Sequence, residues 1–377
     1  MKLKDLKKDF ITKLSITYQK EEILSFFKIL CEEYLNISPT KLLLAGEELI
    51  NKEQVDMFSK AIIRLLNEEP IQYILETTSF YGLDFICTPS ALIPRPETEE
   101  LVDWIIKSET NGITILDIGT GTGCISISLA NNKGFIVDAL DVSSSALELA
   151  KQNAKQNKVD VNFIEADIFS YVSDKKYDLI VSNPPYVRES EKKLMSKNVL
   201  DFEPGLALFV KDLNPLTYYI SILKFADKNL KTNGKVYFEI NEYLYNDIKA
   251  LLLAFGFINI NLKIDAFGKD RFVSAVKSQN RNHTHSMSIY NTINHTTGFY
   301  DFKGLVKSYS QIHEEHTNIY FFDKNGLLIK SKYINNNLKL ETTTYYKHDK
   351  NNNLIRYEEF DSNNELLHDI KLSLIHI

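Results

Sequence analysis

Ile113-Thr114-Ile115-Leu116-Asp117-Ile118-Gly119-Thr120-Gly121-Thr122-Gly123 decides the fold of this chain. An apolar strand ends in an acidic residue, a glycine loop follows, and Ile125 to Ala130 open a helix. Glycine takes positive φ without penalty and lets the backbone approach a ligand closely. The spacing is G-x-G-x-G, distinct from the G-x-G-x-x-G dinucleotide fingerprint. The chain carries no G-x-x-x-x-G-K-[ST] phosphate loop. A lone glycine loop is equally the mark of a tight turn, so the neighbouring sequence must decide. A second strand, Phe135 to Leu140, ends in Asp141. That is about twenty residues on, where a doubly wound fold places an acidic side chain for ribose hydroxyls.

Further along, Tyr177-Asp178-Leu179-Ile180-Val181-Ser182 runs straight into Asn183-Pro184-Pro185-Tyr186. The two prolines fix their φ angles and offer no N–H, so the carbonyls around them stay free to accept. Asn183 adds a side-chain acceptor and an NH₂ donor. Tyr186 adds a flat apolar wall. Such a pocket suits a planar group carrying NH₂, either an amide or an exocyclic amine.

Together, Asp117 to Gly123, Asp141 and Asn183 to Tyr186 resemble the class I S-adenosylmethionine-dependent methyltransferases that act on a planar-conjugated nitrogen. Four more segments narrow the resemblance: Tyr81 to Phe85, Leu92-Ile93-Pro94-Arg95-Pro96-Glu97-Thr98-Glu99, Asp201 to Leu208, and Ala266 to Phe272. In this order they are similar to the bacterial peptide chain release factor glutamine methyltransferases, over roughly residues 1–277. The resemblance implies a Rossmann-like α/β fold with a mostly parallel sheet. It implies methylation of the side-chain amide of the glutamine in the release factor GGQ motif.

It also implies roles. Asp117, Gly119, Thr120, Gly121, Thr122 and Gly123 would bind S-adenosylmethionine, glycines 119, 121 and 123 along its methionine part, and Asp141 would hold the ribose. Asp167, Ile168 and Phe169 would lie by the adenine. Ile168 departs from a tryptophan the family can carry there, so that contact is either weaker or made by Phe169. Asn183, Pro184, Pro185 and Tyr186 would take the glutamine, with Asn183 also beside the cofactor. Arg95 and Glu97 would shape the mouth. No metal is expected. The implied partner is a release factor, with neither nucleic acid nor membrane, for a cytoplasmic monomer.

Composition agrees. With 377 residues, two or three domains are expected. The formal net charge of −6 and the lack of a Lys/Arg-rich tract argue against a nucleic-acid grip. The N-terminus has no signal-peptide core, and no apolar run nears the ~20 residues of a membrane helix. Cys31, Cys87 and Cys124 are far apart, lack zinc spacing and read as reduced thiols. All eight histidines lie at or after His283. The methyltransferase-like stretch therefore uses no histidine base and no histidine-bound zinc.

Residues 1–75 read as a helical module. Asn51 is placed to cap a helix with Val55, Phe58, Ile62, Leu65 and Leu66 on one face. The module either recognises the protein substrate or caps the catalytic domain. Residues 76–96 form a connector with a hairpin, and 97–277 alternate strands and helices. The pattern predicts strands at 113–117, 135–140, 161–165, 177–182 and 234–240. Helices are predicted at 123–131, 144–156, 215–231 and 242–255, then a hairpin at 257–264 and 271–276. Such alternation gives a parallel sheet with ligands at the strands' carboxyl ends.

After Lys277 the composition shifts. Residues 278–296 are polar and linker-like. Residues 297–377 repeat aromatic strand, Asp/Asn turn, apolar strand around Tyr320 to Ile329, Tyr345 to Ile355 and Phe360 to Leu366. That is hairpin chemistry, and the scattered histidines read as solvated surface. Three functions are carried forward: glutamine methylation, methylation of an exocyclic amine in DNA or RNA, and a tail that is a binding module in its own right.

Overall fold

The computed structural model describes residues 1–212, 215–278, 308–312, 316–322, 328–335, 340–348, 354–363 and 366–371. The chain opens with helices α1 (Leu3–Leu14), α2 (Lys20–Leu35), α3 (Pro39–Leu42), α4 (Lys52–Leu66) and α5 (Ile71–Leu75). They share one apolar core, in which Phe10, Phe27 and Phe58 meet at ring distances of 5.4–6.2 Å. Asn51 caps α4 as expected: it accepts from Gln54 N–H at 2.8 Å, and the Gln54 side chain accepts from Asn51 N–H. A cap of this kind is worth about 1 kcal/mol. Leu66 departs from the expected face and is exposed. It lies one step, about 100° of helix, beyond Leu65, and the stripe through Phe58, Ile62 and Leu65 already fills the core.

Strands β1 (Thr77–Phe80) and β2 (Leu83–Ile86) form the connector hairpin. The chain then builds α6 (Pro96–Ser108), β3 (Thr114–Ile118), α7 (Cys124–Ala130), β4 (Ile136–Asp141), α8 (Ser144–Asn157), β5 (Asn162–Glu165) and β6 (Tyr177–Ser182). Helix α6 is absent from the sequence expectation, although Leu101, Val102 and Ile105 give it a buried stripe. A crossing segment follows: β7 (Val187–Arg188), a 3-10 turn, α9 (Lys197–Phe202), α10 (Gly205–Leu208) and β8 (Phe209–Val210). The core closes with α11 (Thr217–Asn229), β9 (Leu230–Glu239), α12 (Tyr245–Ala254), β10 (Phe257–Ile264) and β11 (Asp270–Lys277).

The sheet order is β10-β11-β9-β6-β3-β4-β5. Strands β5, β4, β3, β6 and β9 run parallel; β11 alone is reversed, and β10, antiparallel to β11, runs in the direction of the others. From β3 the chain winds outward through β4 to β5, then crosses back to β6 and winds the other way. The switch lies between β3 and β6, where an open α/β sheet leaves a crevice at the strands' carboxyl ends. The glycine loop leaves β3 there and Asn183 leaves β6 there. Ser182 fastens the two strands, its hydroxyl donating to Ile118 O at 2.6 Å.

Farther on, β12 (Ser308–Ile312), β13 (His316–Phe322), β14 (Leu328–Asn335), β15 (Leu340–His348), β16 (Leu354–Phe360) and β17 (Leu366–Lys371) form a six-stranded antiparallel meander. The expected hairpins fall on β13–β14, β15–β16 and β16–β17. Most of their turn residues, and the linker expected at 278–296 apart from Ser278, lie outside the described residues.

Candidate active site

The loop after β3 is held from beneath and from the side. Asp117 is fully buried and accepts from the Thr120 hydroxyl at 2.7 Å. Its other oxygen, Oδ1, is buried with no hydrogen-bond partner. Burial pushes this carboxyl up to about 7. From the side, Asp141 Oδ2 accepts from Gly121 N–H at 2.8 Å and Oδ1 from Ser143 N–H at 2.9 Å. Gly121 has φ +56°, a conformation that side chains other than glycine rarely take. At Gly123 a Cβ would stand 2.8 Å from Ile127 Cδ1 and 3.2 Å from Ala150 Cβ, so glycine is needed for helix packing.

Over this loop lies a cavity of about 320 Å³. Gly119, Thr120, Gly121 and Thr122 form its floor, and Asp141, Val142 and Ser143 one side. Asp167, Ile168, Phe169, Tyr218, Asn183, Pro184 and Pro185 add to the lining. Phe169 and Tyr218 meet at 5.2 Å between ring centres. The volume lies within the range of small-ligand sites. The chemistry of the lining fits S-adenosylmethionine. A glycine floor admits close backbone approach, Asp141 offers carboxylate lone pairs to hydroxyls, and Phe169 and Tyr218 offer flat walls.

A second cavity of about 160 Å³ shares Asn183 and Pro184 with the first. Tyr186, Val187, Met195, Val199 and Glu239 line it. Leu92, Arg95, Asn183, Pro184 and Ala207 line both cavities. Behind Asn183 runs a chain of polar contacts. Asn183 Nδ2 donates to Thr98 Oγ1 at 3.4 Å, and Thr98 donates to Glu239 Oε2 at 2.7 Å. Tyr186 donates to Glu239 Oε1 at 3.0 Å. Burial pushes the Glu239 carboxyl up, while Thr98, Tyr186 and the charge of Arg271 pull it back.

The crossing segment is tied over the site by one buried carboxylate. Glu203 accepts from Arg95 Nη2 at 2.6 Å and from Ile93 N–H at 3.2 Å. Its side chain is 1% exposed. Arg95 therefore joins the Ile93 to Glu97 connector to the strip through Leu206 and Ala207.

Against known families, residues 13–75 match the PrmC N-terminal domain and residues 98–201 the Methyltransferase small domain. A release factor glutamine methyltransferase of Flavobacterium psychrophilum is 44% identical over 280 residues, covering 72% of this chain and 98% of that protein. The chain belongs to the release factor glutamine methyltransferase family. A Bacteroides thetaiotaomicron relative of that name is 40% identical over 68% of this chain and 94% of its own length. One from Leptospira interrogans is 37% identical over 65% and 88%. Nearly all of the Flavobacterium protein is taken up by 72% of this chain, so it holds no counterpart to the remaining quarter.

In this release factor glutamine methyltransferase family member, most of the residues singled out from sequence converge. Gly119 to Thr122, Asp141, Asp167 to Phe169, Asn183 to Pro185 and Arg95 line the first cavity, and Tyr186 the second. Three do not line either. Asp117 is sealed beneath the loop, Gly123 faces Ile127 and Ala150, and Glu97 sits in the first turn of α6. The first two shape the loop from behind. The sequence reading missed Glu239, Thr98, Tyr218 and Glu203 as parts of the site. Thr98 and Glu203 lie inside the family-like segments Leu92 to Glu99 and Asp201 to Leu208, but their partners, like those of Glu239 and Tyr218, lie far away along the chain, and no local spacing signals the contacts.

Proposed function

We propose that the chain transfers a methyl group from S-adenosylmethionine to the side-chain amide nitrogen of the glutamine in the GGQ motif of peptide chain release factors, modulating translation termination. The observation that carries this reading is the meeting of two cavities at Asn183 and Pro184. The larger suits the cofactor and the smaller an extended side chain. S-adenosylmethionine, when bound, supplies an electrophilic methyl on a sulfonium. Asp141 and the glycine loop would hold it, and Phe169, Ile168 and Tyr218 would flank its base.

An amide nitrogen is a weak nucleophile, because its lone pair is delocalised into the carbonyl. The site compensates by orientation. Asn183 has its NH₂ committed to Thr98, which leaves Oδ1 on the opposite branch of the amide. Oδ1 and the Pro184 carbonyl accept the two N–H groups of the substrate amide. They hold its nitrogen in line for attack and offset the positive charge that develops there. The methyl–sulfonium bond would break as the nitrogen–methyl bond forms, leaving S-adenosylhomocysteine, and the methylated nitrogen, now acidic, loses its proton to solvent, so no strong base is required. Tyr186 packs along the substrate side chain.

A base amine of DNA or RNA, the other reading of Asn-Pro-Pro-Tyr, is not favoured, since the matched relatives carry a glutamine methyltransferase name. Cytoplasmic location, monomeric state and action without a metal belong to the same proposal. The test is Asn183→Ala. Cofactor affinity measured by calorimetry should stay near wild type, while single-turnover methylation of release factor falls about a hundredfold or more. Normal turnover by this variant would remove Asn-Pro-Pro-Tyr from the reaction.

A further inference from the structure

Glu239 ends β9 as a buried carboxylate, 2% exposed, and its two oxygens accept from Thr98 and Tyr186. A hydroxyl carries one proton. Thr98 has committed its proton to Glu239 at 2.7 Å, so Oγ1 faces Asn183 with lone pairs only. Only the NH₂ end of the Asn183 amide can satisfy them. Without the carboxylate, Thr98 could donate to Asn183 Oδ1 equally well, and the amide could sit either way round. The 3.4 Å contact between Asn183 and Thr98 is long, as active-site hydrogen bonds often are before substrate arrives.

Tyr186 obeys the same logic. Its proton also goes to Glu239, so toward the second cavity its oxygen offers lone pairs and no donor. The buried charge has a cation in range. Arg271 bonds Asp265 through Nε at 3.1 Å and acts electrostatically on both Glu239 and Tyr186.

We infer that Glu239 is a positioning residue: through Thr98 it fixes which end of the Asn183 amide faces the methyl acceptor, making the site a receptor for an amide NH₂ and not for a carboxylate. The inference rests on the reading of the site given above. A glutamine presents two N–H donors to two acceptors. A glutamate in the same place presents lone pairs to lone pairs, and a site built around specific hydrogen bonds rejects such an analogue strongly. Glu239 touches no reacting atom in this scheme. It acts by removing one of two orientations from the residue that does.

The test compares wild type, Glu239→Gln, Thr98→Val and Thr98→Ser. Each is given release factor as substrate and, as competitor, a release factor whose GGQ glutamine is replaced by glutamate. Glutamine at 239 can donate as well as accept, so Thr98 is no longer forced to be the donor. Valine removes the relay while keeping the shape. Both variants should lose about tenfold or more in kcat, and their preference for the amide protein over the acid competitor should fall by a similar factor, about 1.4 kcal/mol. Cofactor affinity should hold. Thr98→Ser should restore most of the rate lost in Thr98→Val, because it restores the hydroxyl. Glu239→Gln combined with Thr98→Val should be no worse than the worse single variant, since both act on one chain of contacts.

Amide preference unchanged in both Glu239→Gln and Thr98→Val overturns the inference, even where kcat falls, because a merely structural role would lower rate without changing the choice of ligand. Should Glu239→Gln fail to fold, Thr98→Val alone decides by the same criterion. Wild type that leaves the release factor unmethylated overturns the reading of the site itself, and the relay with it. Methylation by wild type with unaltered preference in the variants overturns the relay alone.

Discussion

Replacing Asp141 by alanine should weaken S-adenosylmethionine binding by about tenfold to a hundredfold. The structure places this carboxylate between two tasks. Its oxygens accept from Gly121 and Ser143 N–H at 2.8 and 2.9 Å, and it lines the first cavity. A hydrogen bond to a charged group is worth roughly 1.5–3 kcal/mol, and loss of one such contact to the ribose gives the stated range. Alanine also frees the Gly121 N–H, so the glycine floor loses a tether and the larger end of the range is expected. Asparagine is the sharper probe. Both Asp141 oxygens face backbone donors, so an NH₂ at either position meets another N–H. Asp141→Asn should therefore bind cofactor no better than Asp141→Ala, despite its conserved shape. Calorimetric titration of S-adenosylmethionine into the three proteins measures this. Affinity within threefold of wild type for Asp141→Ala would refute the assignment of Asp141 to the cofactor. Wild-type affinity for asparagine alone would refute the double-acceptor geometry.

Other outcomes follow from the same geometry. Arg95→Ala leaves the buried Glu203 carboxylate with only the Ile93 N–H, and should cost about 1–3 kcal/mol of stability, visible as a lower thermal midpoint together with a raised KM for release factor. Asp117 ionises near 7 in the folded chain, above its ordinary 3.8, because it is buried. Its contribution to stability is thus fully present below pH 3.8 and is lost as pH rises through 7. The midpoint of wild type should fall across that window relative to Asp117→Asn, and parallel curves would contradict the raised carboxyl. A chain ending at Lys277 should stay folded and methylate release factor at close to the full-length rate, because β11 closes the sheet and Lys277 Nζ already bonds Asp227 O and Leu230 O. Aggregation, or a rate loss beyond about tenfold (about 1.4 kcal/mol), would show that the meander belongs to the enzyme.

The alternation of apolar runs and helical stripes located nearly every element of the central sheet to within a residue or two, since period 2 and period 3.6 are local properties. The exceptions have identifiable physical causes. Strand β9 starts at Leu230, before the expected 234, because Leu230 pairs with Tyr177 across a register shift. That pairing depends on a partner strand more than fifty residues away. The stretch from Val187 to Val210 breaks into short pieces without period, so its role over the site was legible only as a family-like segment, Asp201 to Leu208. Phe169 was expected to share the work of a missing tryptophan. The structure gives it an aromatic neighbour, Tyr218, which sequence reasoning had no means of bringing near. Glu239 illustrates the deeper limit. It ends an apolar strand, and its partners Thr98 and Tyr186 stand 141 and 53 residues away. Most of the residues lining the pocket were readable from motifs. Which proton points where was readable only from the folded chain.

The central claim is that the two cavities meeting at Asn183 and Pro184 deliver a methyl group to one amide nitrogen. The direct measurement is to incubate the protein with isotopically labelled S-adenosylmethionine, release factor and duplex DNA in one tube, then map the label by mass spectrometry. The account predicts a single methyl on the side-chain nitrogen of the GGQ glutamine, none on a release factor in which that glutamine is replaced, and none on DNA. Label on adenine, or on the release factor at any other residue, would contradict it.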